Sequence, residues 1–348
     1  MSVPSFPRRL VLLAVALLGV LYAFAPGLAP EEARLVQRIR AAQGALWAHQ
    51  EALGLPLSRQ DDPERTGFVG VEWSPLTTTL GELPAKRTAA NPLFGVQCLR
   101  WFRQAGLVPG DRIVLFSSSS FPGLLFSALA AAESAGLEVT LVVSLGSSTW
   151  GANRPQFPWP AMGRFLRREG FLRTLPVAYT LGGDYETGGG LSEEGRVLLE
   201  RVAREDGVPL WTASGTPEQR LRGMTDRKMA LIESVHPKLV VSVGGSHANL
   251  GDREAVLALQ PGLLAPSQGE QAGDGVIGRS LRRGLPVLHL LEMKTLCART
   301  GIGYDAPFRR SLGESPWAAA VGLGLFAGVL ASCRRFRFTE TQKKNPNS

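Results

Sequence analysis

The sequence predicts an α/β fold with a mostly parallel, doubly wound (Rossmann-like) sheet, flanked by one N-terminal and one C-terminal transmembrane helix. Three observations predict it. Short apolar runs alternate with helix-length segments from about residue 112 to residue 291. Those runs lack the polar alternation of a half-exposed strand, as expected where both faces of a parallel sheet are covered. Two uncharged apolar segments, Leu10–Ala25 and Pro316–Cys333, lie at opposite ends of the chain.

The first apolar segment follows Arg8 and Arg9 and reads as a signal peptide or as an anchor. Ala23-Phe24-Ala25 has the small-residue pattern of a cleavage site. Pro26 follows it, and Pro30 follows Ala29. A tertiary nitrogen and a rigid ring after the scissile bond block cleavage, so an uncleaved anchor over 1–30 is expected. The second segment has 17 residues from Trp317 to Cys333. At about 1.5 Å per residue they reach ~26 Å, enough to cross a hydrocarbon core. Gly324 and Gly328 have the GxxxG spacing that lets helices approach closely, and they are equally compatible with a simple anchor. Trp317 and Tyr22 suit the interfacial aromatic belt.

Arg334, Arg335 and Arg337 follow this span and open a basic tail over 334–348. The positive-inside rule then places both termini in the cytoplasm, with the domain over 31–315 on the far side of the cell membrane. A second reading of the tail is a sorting signal that is later removed. Seven of the 38 basic residues and one of the 30 acidic ones lie in these flanks, which leaves the middle at about +2. The pI of 9.9 is therefore an anchor signal and gives no reason to expect nucleic acid.

Within the domain, Leu35, Ile39, Ala42, Leu46 and Leu53 recur near a 3.6 period and predict an amphipathic helix over 31–54. A polar loop over 56–67 follows. Asn91 and Pro92 read as the cap and first position of a helix over 93–105. The core pattern then runs: strand 112–116, helix 123–135, strand 137–143, helix 161–169, strand 177–181 and helix 191–206. It continues with strand 208–212, helix 217–234, strand 239–243, helix 273–283 and strand 287–291. No repeat or low-complexity linker divides it into lobes. Cys98 and Cys297 fall in apolar helical stretches and read as buried free thiols rather than a disulfide. There is no CxxC or HExxH, so neither a metal nor any other cofactor is expected.

The polar residues collect where strands end. Ser117 to Gly123, Ser144 to Asn153, Gly182-Gly183-Asp184, Gly244 to Gly251, and Glu292 with Lys294 each follow a predicted strand. In a parallel sheet these loops share one edge, where open α/β folds bind ligands. Ser118, Ser119, Ser147, Ser148, Thr149, Asn153 and Asn249 there supply hydroxyl and amide donors. A helix beginning near Pro122 aims its N-terminal N–H groups at an anion. The same residues also cap helices and make turns whatever the function. Neither GxxxxGK[ST] nor a strand-following GxGxxG occurs, so nucleotide binding has no support.

For hydrolysis the set is Ser120 or Ser246 as nucleophile, His247 as base and Asp184 as orienter. Ser147 is a further candidate nucleophile and Glu292 a further orienter, while His289, the other candidate base, lies within an apolar strand and reads as a core residue. No GxSxG elbow occurs. Thr77, Thr78 and Thr79, followed by Lys86 and Arg87, read either as an irregular strand before a helix cap or as an anion-binding element.

Five stretches together resemble the poly-γ-glutamate system protein family, the W component of that apparatus. They are Ser74-Pro75-Leu76-Thr77-Thr78-Thr79-Leu80-Gly81, the Lys86-Arg87-Thr88 to Asn91-Pro92 segment, Ser117 to Gly123, Gly146-Ser147-Ser148-Thr149-Trp150-Gly151-Ala152-Asn153, and Gly244-Gly245-Ser246-His247-Ala248-Asn249-Leu250-Gly251. They span roughly 70–300. The resemblance implies a membrane-associated part of the machinery that makes or exports poly-γ-glutamate, beside a ligase and a small multi-span protein. It implies the membrane, the other components of that complex, and a polyanionic polymer or its glutamate units as partners. It assigns no catalytic residues. An extracytoplasmic serine hydrolase or transferase acting on γ-glutamyl or cell-envelope amides, and a non-catalytic scaffold, are the alternatives.

Overall fold

A computed structural model of the chain describes residues 27–308 apart from Asp252, together with Leu17, Val321, Leu323, Gly324, Ala327 and Gly328. Two compact units are distinguished, and Arg34–Phe308 is the larger. The smaller, Met1–Ala33 with Arg309–Ser348, consists mostly of residues outside the described set. Among the described residues no helix is long and apolar enough to cross a membrane. The two expected anchors lie almost wholly outside those residues.

The large unit is built on a seven-stranded sheet. Its strands are β2 (Arg112–Ser118), β3 (Glu138–Ser144), β5 (Pro176–Thr180), β8 (Leu210–Trp211), β9 (Leu239–Val243), β10 (Gly262–Leu264) and β11 (Val287–Leu290). They lie in the order β10-β11-β9-β2-β3-β5-β8. Only the edge strand β10 runs antiparallel. The chain starts at the centre with β2, winds outward through β3, β5 and β8, and returns to the other side of β2 with β9 and β11.

The continuous apolar character of the strands has the expected cause. Successive side chains point to opposite faces. Ile113, Leu115, Leu141, Val143 and Val241 enter one core cluster, while Val114, Phe116, Val142 and Val240 enter another. The first cluster is closed by α1 (Pro30–Ala52), α3 (Leu93–Gln104), α4 (Pro122–Ser134), α5 (Trp159–Arg168) and α6 (Glu193–Glu205). The second is closed chiefly by α7 (Pro217–Val235) and α10 (Val276–Arg282). Local signals place these helices. Ser192 accepts from the Gly195 N–H to start α6, and Thr216 with Gln219 forms a capping box at the start of α7.

Several elements differ from the sequence expectation. Lys86-Arg87-Thr88 lies in a short helix, α2 (Leu83–Ala89), which the sequence pattern did not show. Thr77–Thr79 is the irregular strand that one reading expected, β1, but it pairs in parallel with β4 (Ser147–Ser148) in a separate two-stranded ribbon. A second ribbon, β6 (Gly182–Gly183) with β7 (Thr187–Gly189), occupies the turn after β5. The Ser246–Gly251 loop contains a one-turn helix, α8 (His247–Leu250). Further helices at α9 (Arg253–Ala258) and α11 (Met293–Thr300) follow. Pro92 stands just before α3 rather than inside it, and Asn91 Oδ1 accepts from the Leu93 N–H at 3.0 Å as a cap. Cys98 and Cys297 are free and buried, and burial pushes their thiols up to about 12 and about 11.

Candidate functional site

The order of strands reverses between β2 and β9, so the loops leaving these neighbours diverge and open a crevice beyond their carboxyl ends. A cavity of about 320 Å³ lies there. Ser118 and Ser120 reach it from the end of β2, Ser144 and Gly146 from β3, and Gly182–Asp184 from the turn after β5. Gly245, Ser246 and His247 reach it from the end of β9, and Glu292 from the end of β11. The ribbon β1–β4 and helix α2 supply the remaining wall through Thr78, Thr79, Lys86 and Ser148.

Lys86 is the cation of this wall. Its side chain is 4% exposed, and Nζ donates to Ser120 O and to Ser148 Oγ, both at 2.6 Å. Nζ also lies 3.7 Å from the centre of the Phe121 ring. Among the described residues no carboxylate forms an ion pair with it, and burial lowers its pKa from 10.5 to about 7. A Ser120 Oγ to Ser148 N–H contact of 3.0 Å fixes the two serines against each other. Nearby, the Ser118 hydroxyl is buried without a hydrogen-bond partner among the described residues. Gly244, at φ +81, permits this approach: a Cβ there would collide with Ser118 Oγ.

A second, fully buried cluster forms the cavity floor. Lys228 Nζ stands 2.5 and 2.7 Å from the two carboxylate oxygens of Glu186, 2.9 Å from Asn249 Oδ1 and 3.1 Å from Ser246 Oγ. Ser144, Thr180 and Ser246 hydroxyls donate to the same carboxylate. Burial opposes charge on Glu186, but Lys228 and the hydroxyls outweigh it and hold the carboxyl below its usual range. Burial likewise lowers Lys228, against the pull of Glu186. We take the pair as ionised, because each charge has a direct partner and the remaining lone pairs are satisfied. Glu186 and its neighbour Tyr185 are both left-handed, at φ 60 and 57. Glu292, on the rim, has φ 53. Such strain persists where the surroundings over-determine the backbone, and it concentrates at functional sites.

The rim is acidic. Asp184 and Glu292 are exposed there without an ion pair among the described residues, while Glu82 is engaged by Lys294 and Tyr304. His247 stacks on Tyr185 at 5.3 Å between ring centres, and its Nδ1 accepts from the Tyr185 N–H at 3.2 Å. The donated N–H leaves Nε2 as the protonated nitrogen of the neutral ring.

Of the residues singled out in the sequence, Thr78, Thr79, Lys86, Ser118, Ser120, Ser148, Asp184, Ser246, His247 and Glu292 line the cavity. The others serve its scaffold. Arg87 makes a bidentate pair with Asp305 at 2.6 and 2.7 Å. Asn153 bridges Val71 and Thr77, the Ser119 hydroxyl donates to Ser144 O, and the Ser147 hydroxyl donates to Ser119 O. Thr149 exchanges two hydrogen bonds with the Gly81 backbone, and Asn249 holds Lys228 and Ser242. His289 is buried in β11, and burial pushes it down to about 4. Sequence reasoning missed Glu186 and Lys228 altogether. Ser246 lies between those two rather than beside a free base. Among the described residues no three His, Cys, Asp or Glu side chains gather as metal ligands.

Comparison with protein-family models gave no match, and comparison with the curated proteins gave none.

Proposed function

We propose that the chain is a membrane-anchored accessory component of poly-γ-glutamate biosynthesis or export, whose extracytoplasmic α/β domain binds glutamate units. One observation carries the ligand: a buried lysine, Lys86, faces a polar cavity at the sheet's switch point without a carboxylate partner among the described residues. A bound carboxylate supplies the missing counter-charge, and the Ser120 and Ser148 side chains on the same wall offer it hydroxyls. The acidic rim narrows the ligand further. Asp184 and Glu292 repel a run of bare carboxylates but suit an ammonium, so the ligand is free glutamate or the amino end of a chain rather than its interior.

The apparatus and the topology rest on the family resemblance and on the charge-flanked apolar ends. Both termini then lie in the cytoplasm, and the cavity faces the side on which an exported polymer emerges. In a polymer-producing cell, Lys86→Met is expected to lower polymer yield or chain length while the protein stays at its normal level. Unchanged yield and length would remove the binding reading and leave a scaffold. A reporter fused at Ser348 that is active only outside the cytoplasm would overturn the topology. The serine hydrolase or transferase is the second reading, favoured by the contact between Ser148 and Lys86.

A further inference from the structure

We propose that Ser148 and Lys86 form a nucleophile–base pair that cleaves or transfers the acyl group of a carboxamide or ester in this cavity. The proposal rests on the cavity being a ligand site, but not on glutamate being the ligand.

The geometry is that of a serine activated by a lysine. Lys86 Nζ and Ser148 Oγ are 2.6 Å apart, on the wall of the cavity. The ammonium donates to the hydroxyl, and once the amine is neutral the hydroxyl donates to it instead. Apolar burial is how proteins make a lysine amine available as a base near neutral pH. Here that burial lowers Lys86 to about 7 without an opposing carboxylate. Ser120 O takes a second Lys86 N–H at 2.6 Å, and Gly81 lies against the Lys86 stem, so the amine is held in place.

The step balances on groups present and on water. Neutral Lys86 takes the Ser148 proton as Oγ attacks the carbonyl carbon. The tetrahedral oxyanion collapses, the C–N or C–O bond breaks, and the Lys86 ammonium returns the proton to the leaving amine or alcohol. The Ser148 ester is then opened by water, or by an acceptor amine: Lys86 takes the proton of the attacking group and returns it to Ser148 Oγ as the acyl C–O bond breaks, which restores the neutral amine and the serine. Ser120 lines the same cavity as Ser148, and its hydroxyl supplies a donor for the oxyanion.

The test uses the full chain in detergent and a fluorophosphonate probe, with adducts located by peptide mass spectrometry. The expected result is a single adduct on Ser148, absent in Ser148→Ala. Labelling is expected to be at least 100-fold slower in Lys86→Met, and its rate in the wild type to rise with pH about a midpoint near 7. Thermal unfolding of both variants shows whether each remains folded. No adduct on Ser148 in the wild type, or an equal rate in folded Lys86→Met, overturns the proposal. Glutamate titration separates it from the binding reading. If the wild type does not label while folded Ser148→Ala still binds glutamate, the dyad fails and the ligand site stands. If the wild type labels at Ser148 but binds no glutamate, the dyad stands and the glutamate reading fails.

Discussion

Glu186 and Lys228 lie 42 residues apart in the chain, yet both are about 1% exposed and their charges meet at 2.5 and 2.7 Å. The pair joins the strained turn after β5 and the Ser246 cap of α8, two walls of the cavity, to helix α7 behind them.

Removing one partner leaves the other charge buried and uncompensated. Glu186→Gln is expected to cost about 3–5 kcal/mol in stability, measured by urea unfolding near pH 7. Because the folded carboxyl sits below its usual value, its contribution is full above about pH 4.5 and fades as the pH falls through the lowered value. The gap between wild type and variant therefore narrows in acid.

Lys86 acts in the opposite sense. The unfolded chain keeps this proton up to about 10.5, whereas the folded chain releases it near 7. Between those values the folded state binds fewer protons, so this residue makes stability rise with pH. At 1.36 kcal/mol per unit, its effect is on the order of 5 kcal/mol across the window. Lys86→Met removes it: the variant's advantage over wild type is largest below pH 7 and shrinks steadily toward pH 10. Paired unfolding curves at several pH values measure the slope, and parallel behaviour of the two proteins would contradict it.

Arg87 and Asn153 separate scaffold from site. The Arg87–Asp305 pair is partly exposed, so Arg87→Ala is expected to cost about 0–1 kcal/mol and to leave glutamate affinity unchanged. Asn153 is fully buried and holds the backbone of Val71, so Asn153→Ala strips partners from buried groups and costs about 1–3 kcal/mol. Thermal unfolding and glutamate titration of both variants check the contrast. A large loss of binding on Arg87→Ala would return that residue to the site.

The sheet was legible where burial on both faces made each strand an apolar run, as in Ile113–Phe116 and Leu239–Val243. It was illegible where pairing is short and polar. Ser147–Ser148 carries no apolar pattern, and Gly262–Leu264 is three residues beside Pro261. The site's position followed from the strand-end loops, which a parallel sheet must bring to one edge. Its chemistry did not follow. Lys228 sits inside a helix whose other charged residues are exposed or half-exposed, and Glu186 sits in a glycine-rich turn, so neither position shows its burial in sequence. Lys86 was singled out beside Arg87 as one basic pair, but α2 turns them apart. One enters the cavity, and the other reaches Asp305.

The central claim is that Lys86 makes this cavity a glutamate site, and isothermal titration of L-glutamate into the full chain tests it most directly. The account predicts saturable binding at pH 6.5 that weakens with added salt. It also predicts that binding falls by up to about tenfold per unit as the pH rises above about 7, and that it is lost in folded Lys86→Met. Equal affinity in wild type and variant, or no binding by the wild type at pH 6.5, would contradict it.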